Sequence, residues 1–263
     1  MDYEILCTKV VSIVRLTGNF IRKEAIQFDA NRIEYKGLND MVSYVDKTAE
    51  QKLVQNLDKL LPDAGFLTEE KTISRTGKTY TWVIDPLDGT TNFIHGLPVY
   101  AISVALYEDD KAVIGVVYEL NRGEMFYSYK GGAAYLNKKE IRVSKNPDLK
   151  SSLLATGFPY YEFDKQPQYL KLLSEMMQKS HGLRRMGSAA TDLIYVACGR
   201  FDAFFEYNLQ PWDFAAGCFL VEQAGGEVLD FSGGTEFFGK LEILATNGLL
   251  TPELLEAVKR YFG

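Results

Sequence analysis

The sequence is short of cysteine and histidine, the residues that build disulfide frameworks and zinc centres. Its 263 residues include three cysteines and two histidines. Cys7, Cys198 and Cys218 lie far apart and form no Cys-x-x-Cys pair, so we expect reduced thiols rather than disulfides. Because His95 and His181 stand alone, the sequence lacks the closely spaced ligands of a zinc site.

Long apolar runs and a surplus of basic residues are also missing. The longest near-continuous apolar run, residues 99–107, is far too short to span a bilayer. Residues 1–4 lack the basic and apolar regions of a signal peptide, so we expect a cytoplasmic protein with no membrane association. Acidic residues outnumber basic ones by 35 to 29, giving a net charge of −6. This balance disfavours a nucleic-acid-binding surface, which needs a basic stripe.

Helical and strand-like patterns are both present. Residues 5–26 and 46–61 place apolar side chains at helical spacing, whereas residues 100–143 predict an antiparallel meander. The second half of the chain alternates short strands with helices, and no repeat or linker interrupts it. We therefore predict an α+β fold of mixed layers, in which lobe 1 (about 1–145) and lobe 2 (about 146–263) pack into one unit.

The chain is organised around residues 81–93, Thr-Trp-Val-Ile-Asp-Pro-Leu-Asp-Gly-Thr-Thr-Asn-Phe. The first part reads as a short buried strand that ends at Asp85, because Pro86 lacks the N–H needed for further pairing. Asp88 and the following Gly89 and Thr90 turn the chain, and a helix starting here would point free N–H groups outward. Two carboxylates beside such a cradle attract a phosphate only through a divalent cation, and hard oxygen ligands suit Mg²⁺. The simpler alternative is an Asx-turn with two solvated acids.

Two more acidic groups follow apolar segments. Glu69 and Glu70 come after a brief predicted strand, and Asp213 opens an apolar helix. Taken singly, the glutamates fit solvated surface charge, and Asp213 and Asp46 fit helix caps. Taken together, and without a Ser/His/Asp or Cys/His arrangement, the three clusters suit a two-metal hydrolase. In such a site one cation lowers the pKa of the attacking water and the other holds the leaving oxygen.

These motifs carry a family resemblance. The chain contains Glu69-Glu70, then Asp85-Pro86-Leu87-Asp88-Gly89-Thr90, then Trp212-Asp213-Phe214-Ala215-Ala216-Gly217, followed by Gly225-Gly226. In order and spacing they resemble the inositol monophosphatase family of Mg²⁺-dependent, lithium-sensitive phosphatases, over essentially the whole chain. The resemblance implies a layered αβαβα sandwich, commonly a homodimer, that hydrolyses a small phosphorylated substrate such as inositol 1-phosphate.

The resemblance also implies a set of two to three Mg²⁺ ions. The first would take Glu69, Asp85 and the carbonyl oxygen of Leu87. The second would take Asp85, Asp88 and Asp213, and a weaker third ion would lie near Glu69.

The remaining roles implied by the resemblance concern water and substrate. Thr90, supported by Asp46, would orient the attacking water, so that Glu69, Thr90 and Asp46 form the catalytic group. The N–H groups of Gly89 and Thr90 would hold the phosphate. The predicted substrate contacts are Asp88, Gly89, Thr90, Gly187, Ser188, Ala189, Glu206 and Asp213. From the residues alone, Ser188 fits a helix N-cap equally well, and Glu206 fits a solvated acid at a strand end.

One departure from the family pattern bears on the substrate. The animal inositol enzymes carry His-Cys before the Trp-Asp pair, whereas this chain has Gln210-Pro211 and similar bacterial members often have Arg-Pro. Phosphatases for 3′-phosphoadenosine nucleotides, fructose 1,6-bisphosphate or histidinol phosphate are therefore alternatives within the family.

Two readings lie outside the family's chemistry. A haloacid-dehalogenase-type phosphatase uses Asp-x-Asp-Gly-Thr, but here Asp85 and Asp88 are one residue further apart, which puts the second acid out of position. That alternative predicts a trappable aspartyl-phosphate, which we do not expect to form. The other is a binding scaffold, since some bacterial relatives act with RNA or the transcription machinery and a family fold alone does not establish activity.

Overall fold

The computed structural model describes residues 1–28, 33–37, 40–159 and 163–263. The α-helices of these residues are α1 (Tyr3–Ile26), α2 (Tyr44–Leu60), α3 (Thr90–Ile94), α4 (Gln166–Lys179), α5 (Ala189–Ala197), α6 (Pro211–Gln223) and α7 (Thr251–Phe262). The strands are β1 (Ile33–Gly37), β2 (Asp40–Ser43), β3 (Gly65–Thr68), β4 (Tyr80–Asp88), β5 (Ala101–Glu108), β6 (Lys111–Glu119), β7 (Glu124–Tyr129), β8 (Tyr135–Leu136), β9 (Lys139–Glu140), β10 (Leu153–Thr156), β11 (Gly182–Arg184), β12 (Ala203–Tyr207), β13 (Glu227–Leu229) and β14 (Glu242–Thr246).

Two large sheets form the frame of the molecule. The first has the order β3-β4-β5-β6-β7-β8-β9, in which β3 and β4 are parallel and the rest form the predicted antiparallel meander. The second has the order β11-β10-β12-β14-β13. In it, β10 runs parallel to both β11 and β12, while β14 runs antiparallel to its two neighbours.

Helices cover both faces of the two sheets. Helices α1 and α2 pack on the outer face of the first sheet, and α5 and α6 contact both sheets from between them. Helices α4 and α7 pack together on the far side of the second sheet. The order is therefore helix, sheet, helix, sheet, helix, which confirms the predicted αβαβα sandwich. The division into two lobes near residue 145 stays a prediction.

Three apolar clusters fill the spaces between these five layers. Val10, Leu53 and Trp82 belong to the outer cluster of the first sheet. The central cluster is built on α5 and α6, and the third lies between the second sheet and helices α4 and α7. The three cysteines carry free thiols, as predicted. In the described part of the chain, no helix combines the length and apolar character needed to cross a membrane.

Two element boundaries differ from the sequence-based expectation. The sequence of residues 42–45 predicts a short strand, but β2 ends at Ser43, because Ser43 is the N-cap of α2 and the next two residues lie in the first turn of that helix. Strand β4 does not end at Asp85 but continues to Asp88, with an irregular register against β5 between those two residues. The missing N–H of Pro86 falls in this irregular stretch, where the ladder is already interrupted.

Candidate active site

The end of β4 brings two acidic residues to one edge of the first sheet. Asp85 is buried, and its Oδ1 accepts a hydrogen bond from the N–H of Leu87 at 2.9 Å. Gly89 then adopts φ +92°, and a Cβ there would lie 3.0 Å from the carbonyl oxygen of Val99. A glycine is therefore required at this turn, which directs the chain into α3.

Glu69 reaches the same edge from the neighbouring strand. Strands β3 and β4 are parallel, with Thr68 paired to Ile84, so their carboxyl ends lie side by side. The N–H of Glu69 donates to the carbonyl oxygen of Ile84 at 3.3 Å. The carboxyl groups of Glu69 and Asp85 also interact, and this interaction raises the pKa of Asp85. These contacts show how one pair of parallel strands delivers two of the predicted ligands to one place.

Asp213 lies on α6, which packs against the first sheet from between the two sheets. Ser103 pairs with Asp85 across the sheet, and its hydroxyl donates to the carbonyl oxygen of Trp212 at 3.3 Å. This contact fixes the first turn of α6 beside the end of β4. The Asp213 carboxylate accepts from the N–H of Gln210 at 2.7 Å through Oδ2, so one oxygen serves the helix start. The N-cap of α6 is Gln210, and Asp213 is the N3 residue of its capping box, so Asp213 supports the helix start without being the cap that the sequence predicted. This contact is compatible with a second role.

The pKa shifts of these acids agree with the contacts described above. The pKa of Asp85 is raised well above its usual value, first by burial and then by the charges of Glu69, Asp88 and Asp213. Burial and the charge of Asp88 raise the pKa of Asp213 to about 8. The structure therefore brings the four predicted acidic ligands into one cluster with an excess of negative charge.

Thr90 and Asp46 are joined directly, as the sequence analysis expected. The Thr90 hydroxyl lies 2.7 Å from Asp46 Oδ1 and 3.0 Å from the carbonyl oxygen of Leu87. Asp46 is buried in the first turn of α2, and its Oδ2 accepts from the N–H of Ser43 at 2.9 Å and from its hydroxyl at 2.5 Å. Asp46 therefore completes a capping box and also holds Thr90.

Residues of the second half of the chain bind Asp88. Ser188 is the N-cap of α5, as predicted. Its hydroxyl donates to Asp88 Oδ2 at 2.6 Å, and the N–H of Ala190 donates to the same oxygen at 2.7 Å. Burial raises the pKa of Asp88 to about 6, and these hydrogen bonds, with another from the backbone of Ala189, oppose that rise. Asp88 thus connects the acidic cluster at the end of β4 with the first turn of α5.

Glu206 faces a small cavity beside Asp88. This cavity of about 160 Å³ is lined by Asp88, Gly157, Arg185, Gly187, Ser188, Ala189, Asp192, Glu206, Leu209 and Asp213. Burial and the charge of Asp213 raise the pKa of Glu206 to about 8, while Arg185 acts in the opposite direction. A Cβ at Gly157 would lie 2.1 Å from Glu206 Oε2, so only glycine leaves room for that carboxylate. All the predicted substrate contacts except Gly89 and Thr90 line this cavity, and those two follow Asp88 directly in the chain.

The donor set fits a hard divalent cation in its chemistry. Clustered carboxylates and the Leu87 carbonyl are the oxygen ligands that Mg²⁺ prefers, and their shared negative charge favours a cation. In the described ranges, no group of three or more acidic, histidine or cysteine side chains is already arranged to coordinate a metal ion. The chemistry of the donors, rather than a preformed geometry, therefore supports the fit.

Glu50 is a further part of this site that the sequence did not indicate. It lies buried on α2, and its two carboxylate oxygens accept four hydrogen bonds from the last residue of β3 and the segment that follows it. The donors are the Thr68 hydroxyl, the Glu70 N–H, and both the N–H and the hydroxyl of Thr72. Glu69 sits in the middle of this segment. Glu50 is thus a positioning residue for Glu69.

The substitution Glu50→Gln tests this role. One carboxylate oxygen becomes an NH₂ group that faces N–H or O–H donors, so we expect a loss of about 1–3 kcal/mol in the free energy of unfolding. Phosphate release should also fall, because Glu69 loses its support. Urea unfolding and a phosphate assay measure the two effects. The matched control is Gln51→Glu, an exposed isosteric change on the same helix. Equal stability of Glu50→Gln and the unaltered chain would contradict the assignment.

Comparison with known proteins agrees with this architecture. The model of the inositol monophosphatase family matches residues 4–262. The chain therefore belongs to the inositol monophosphatase family, whose members are generally metal-dependent phosphatases.

Individual relatives cover nearly the whole chain. The protein named Nus factor SuhB of Escherichia coli K12 is 41% identical over 259 residues, which span 95% of this chain and 97% of the relative. The crystal structure of extragenic suppressor protein suhB from Bartonella henselae superposes with a TM-score of 0.92 at 37% identity, covering 97% and 99% of the two chains. The inositol monophosphatase of Anabaena superposes with a TM-score of 0.86 at 30% identity, covering 98% and 96%.

Proposed function

We propose that this protein is a Mg²⁺-dependent phosphomonoesterase that hydrolyses inositol 1-phosphate and related myo-inositol monophosphates. The observation that carries the proposal is the proximity of Glu69, Asp85, Asp88 and Asp213 near the end of β4, beside a cavity with further polar groups. Membership of the inositol monophosphatase family supports the same reaction class.

In this proposal the acids hold two ions and a weaker third. Glu69, Asp85 and the Leu87 carbonyl would hold one, Asp85, Asp88 and Asp213 would hold the second, and the third would lie near Glu69. When bound, the ions would supply an activated water and would offset the charge that develops on the phosphate and the leaving oxygen.

The chain's own groups position the reactants. When the Thr90 hydroxyl donates to Asp46, its lone pairs are left to accept a hydrogen bond from the attacking water and so to orient it. The N–H groups of Gly89 and Thr90 would contact the phosphate. Ser188 and Ala190 fix the Asp88 carboxylate. Glu206, which lines the cavity beside Asp88, would face the hydroxyls of the leaving alcohol.

A substrate panel assayed with Mg²⁺ tests the proposal. We expect inositol 1-phosphate to give a higher kcat/KM than 3′-phosphoadenosine 5′-phosphate, fructose 1,6-bisphosphate or histidinol phosphate. LiCl should inhibit this hydrolysis, whereas KCl at equal concentration should not. Faster turnover of the nucleotide or of histidinol phosphate would overturn the choice of substrate, and no Mg²⁺-dependent turnover of any ester would overturn the reaction class. Light scattering on the same sample would check the proposed homodimer.

A binding function is the second candidate, because the Escherichia coli relative carries the name Nus factor SuhB. The net charge of −6 favours a protein partner over direct contact with nucleic acid. Anisotropy of a labelled single-stranded RNA should therefore show weak binding at most. Tight, salt-dependent RNA binding would contradict this expectation.

A further inference from the structure

Asp192 is a buried carboxylate that the proposed reaction has not used. It lies in the first turn of α5 with 1% of its surface exposed, and it lines the cavity of about 160 Å³ beside Asp88 and Glu206. Within the described ranges its Oδ1 has no hydrogen-bond partner. A buried acceptor without a partner destabilises a folded protein, so a native structure that keeps one has a reason for it.

The fold itself gives no such reason. Ser188 already caps α5 through a hydrogen bond from the N–H of Thr191 at 3.2 Å, so the helix start does not need Asp192. Among the described residues, Asp192 forms no ion pair. Leu193, Ile194 and Val196 around it are buried apolar residues of the central core. These contacts give the carboxyl group of Asp192 no structural partner, which points to a ligand rather than to stability.

The surroundings define the chemistry of that ligand. Glu206 and Asp192 both line the cavity. Burial raises the pKa of both carboxyl groups, and the positive charge of Arg185 partly opposes that rise. Carboxyl groups whose charge is partly offset by an arginine can accept hydrogen bonds from neutral donors. Because the cavity adjoins Asp88 and Asp213, a group placed there belongs to the alcohol half of a bound phosphate ester. Hydroxyl groups of a polyol meet these requirements.

We propose that Asp192 is a specificity-determining residue whose carboxyl group accepts a hydrogen bond from a hydroxyl of the polyol part of the substrate. The inference rests on the proposed phosphatase function and adds a second carboxylate to Glu206. It explains selection for a polyol, because an ester without hydroxyls leaves the buried acceptor unpaired.

Two esters of the same ring size test the proposal: inositol 1-phosphate and cyclohexyl phosphate, which lacks ring hydroxyls. In the unaltered chain we expect a lower KM for inositol 1-phosphate. In Asp192→Leu, which removes both oxygens and keeps the branched shape of the side chain, the preference for inositol 1-phosphate in kcat/KM should fall roughly tenfold to a hundredfold through KM. Asp192→Asn keeps one acceptor oxygen and should retain most of the preference.

Thermal stability separates this role from a structural one. Because Asp192→Leu removes an unpaired buried acid, its Tm should rise, whereas a structural role predicts a lower Tm or a chain that does not fold. An unaltered preference in Asp192→Leu, or loss of folding, overturns the inference and leaves the proposed function standing. If the unaltered chain hydrolyses neither ester, the proposed function fails and the inference fails with it.

Discussion

Replacing Asp88 by asparagine is expected to remove nearly all Mg²⁺-dependent phosphate release. Asp88 is held by Ser188 and Ala190 within the acid cluster, and asparagine preserves its shape while removing its charge. Metal-ion stabilisation of the transition state is worth several kcal/mol, so kcat should fall roughly a hundredfold or more. A phosphate assay with inositol 1-phosphate at saturating Mg²⁺ measures the change.

The matched control for this prediction is Asp110→Asn, the same chemical change at an exposed position. It should retain full activity. A melting curve of Asp88→Asn is needed as well, because the new NH₂ group can disturb the hydrogen bonds from Ser188 and Ala190. Near-full activity of a folded Asp88→Asn protein would remove Asp88 from the proposed ligand set.

The second large effect is expected on the stability of the metal-free protein. Folding raises the pKa of Asp88 to about 6 and that of Asp213 and Glu206 to about 8, above the value near 4 of unfolded carboxyl groups. A group with a raised folded pKa costs stability at higher pH, so without metal this cost grows as the pH rises from about 4 to about 8. Bound Mg²⁺ favours the ionised acids and should reverse the effect.

Melting curves at pH 5.5 and pH 8.5, each with EDTA or with Mg²⁺, measure this linkage. We expect Mg²⁺ to raise Tm more at pH 8.5 than at pH 5.5, by on the order of 5 °C or more. Titrating groups outside the cluster contribute equally with and without metal, so they cancel in the comparison. The control Asp110→Asn should behave like the unaltered chain, whereas Asp213→Asn should show a smaller difference. Equal Mg²⁺ effects at the two pH values would contradict the account.

The layered fold was predictable because its strands and helices leave local patterns in the sequence. The acidic motifs also follow the order and spacing of the inositol monophosphatase family. The antiparallel meander follows from alternating apolar residues and turn signals, and the structure confirms it. Strand β4 was harder to delimit, because the effect of Pro86 depends on the register with β5. The irregular pairing between Asp85 and Asp88 absorbs the proline, and no local pattern reveals that register.

The site was predictable only in part. The sequence shows acids at the ends of apolar segments, but it does not show which ends meet. Asp213 reaches Asp85 because Ser103 binds the first turn of α6, a contact between residues more than a hundred positions apart. The roles assigned to these acids stay predictions.

Glu50 and Asp192 were missed for a common reason. Each is an acid on a helix whose other buried residues are mostly apolar, and an isolated acid in such a pattern suggests a surface position. Their burial is set by partners remote in sequence: four donors near Thr72 for Glu50, and the cavity beside Glu206 for Asp192. An unexpected acid on the buried face of a helix is the one signal that could have indicated them.

The central claim is that the four acids bind a pair of divalent cations. Anomalous diffraction from crystals soaked in Mn²⁺, a substitute with its own anomalous signal, tests it most directly. We predict two peaks about 3.5–4 Å apart, with Asp85 between them and Glu69, Asp88 and Asp213 around them. Peaks elsewhere on the molecule, with none among these four side chains, would contradict the account.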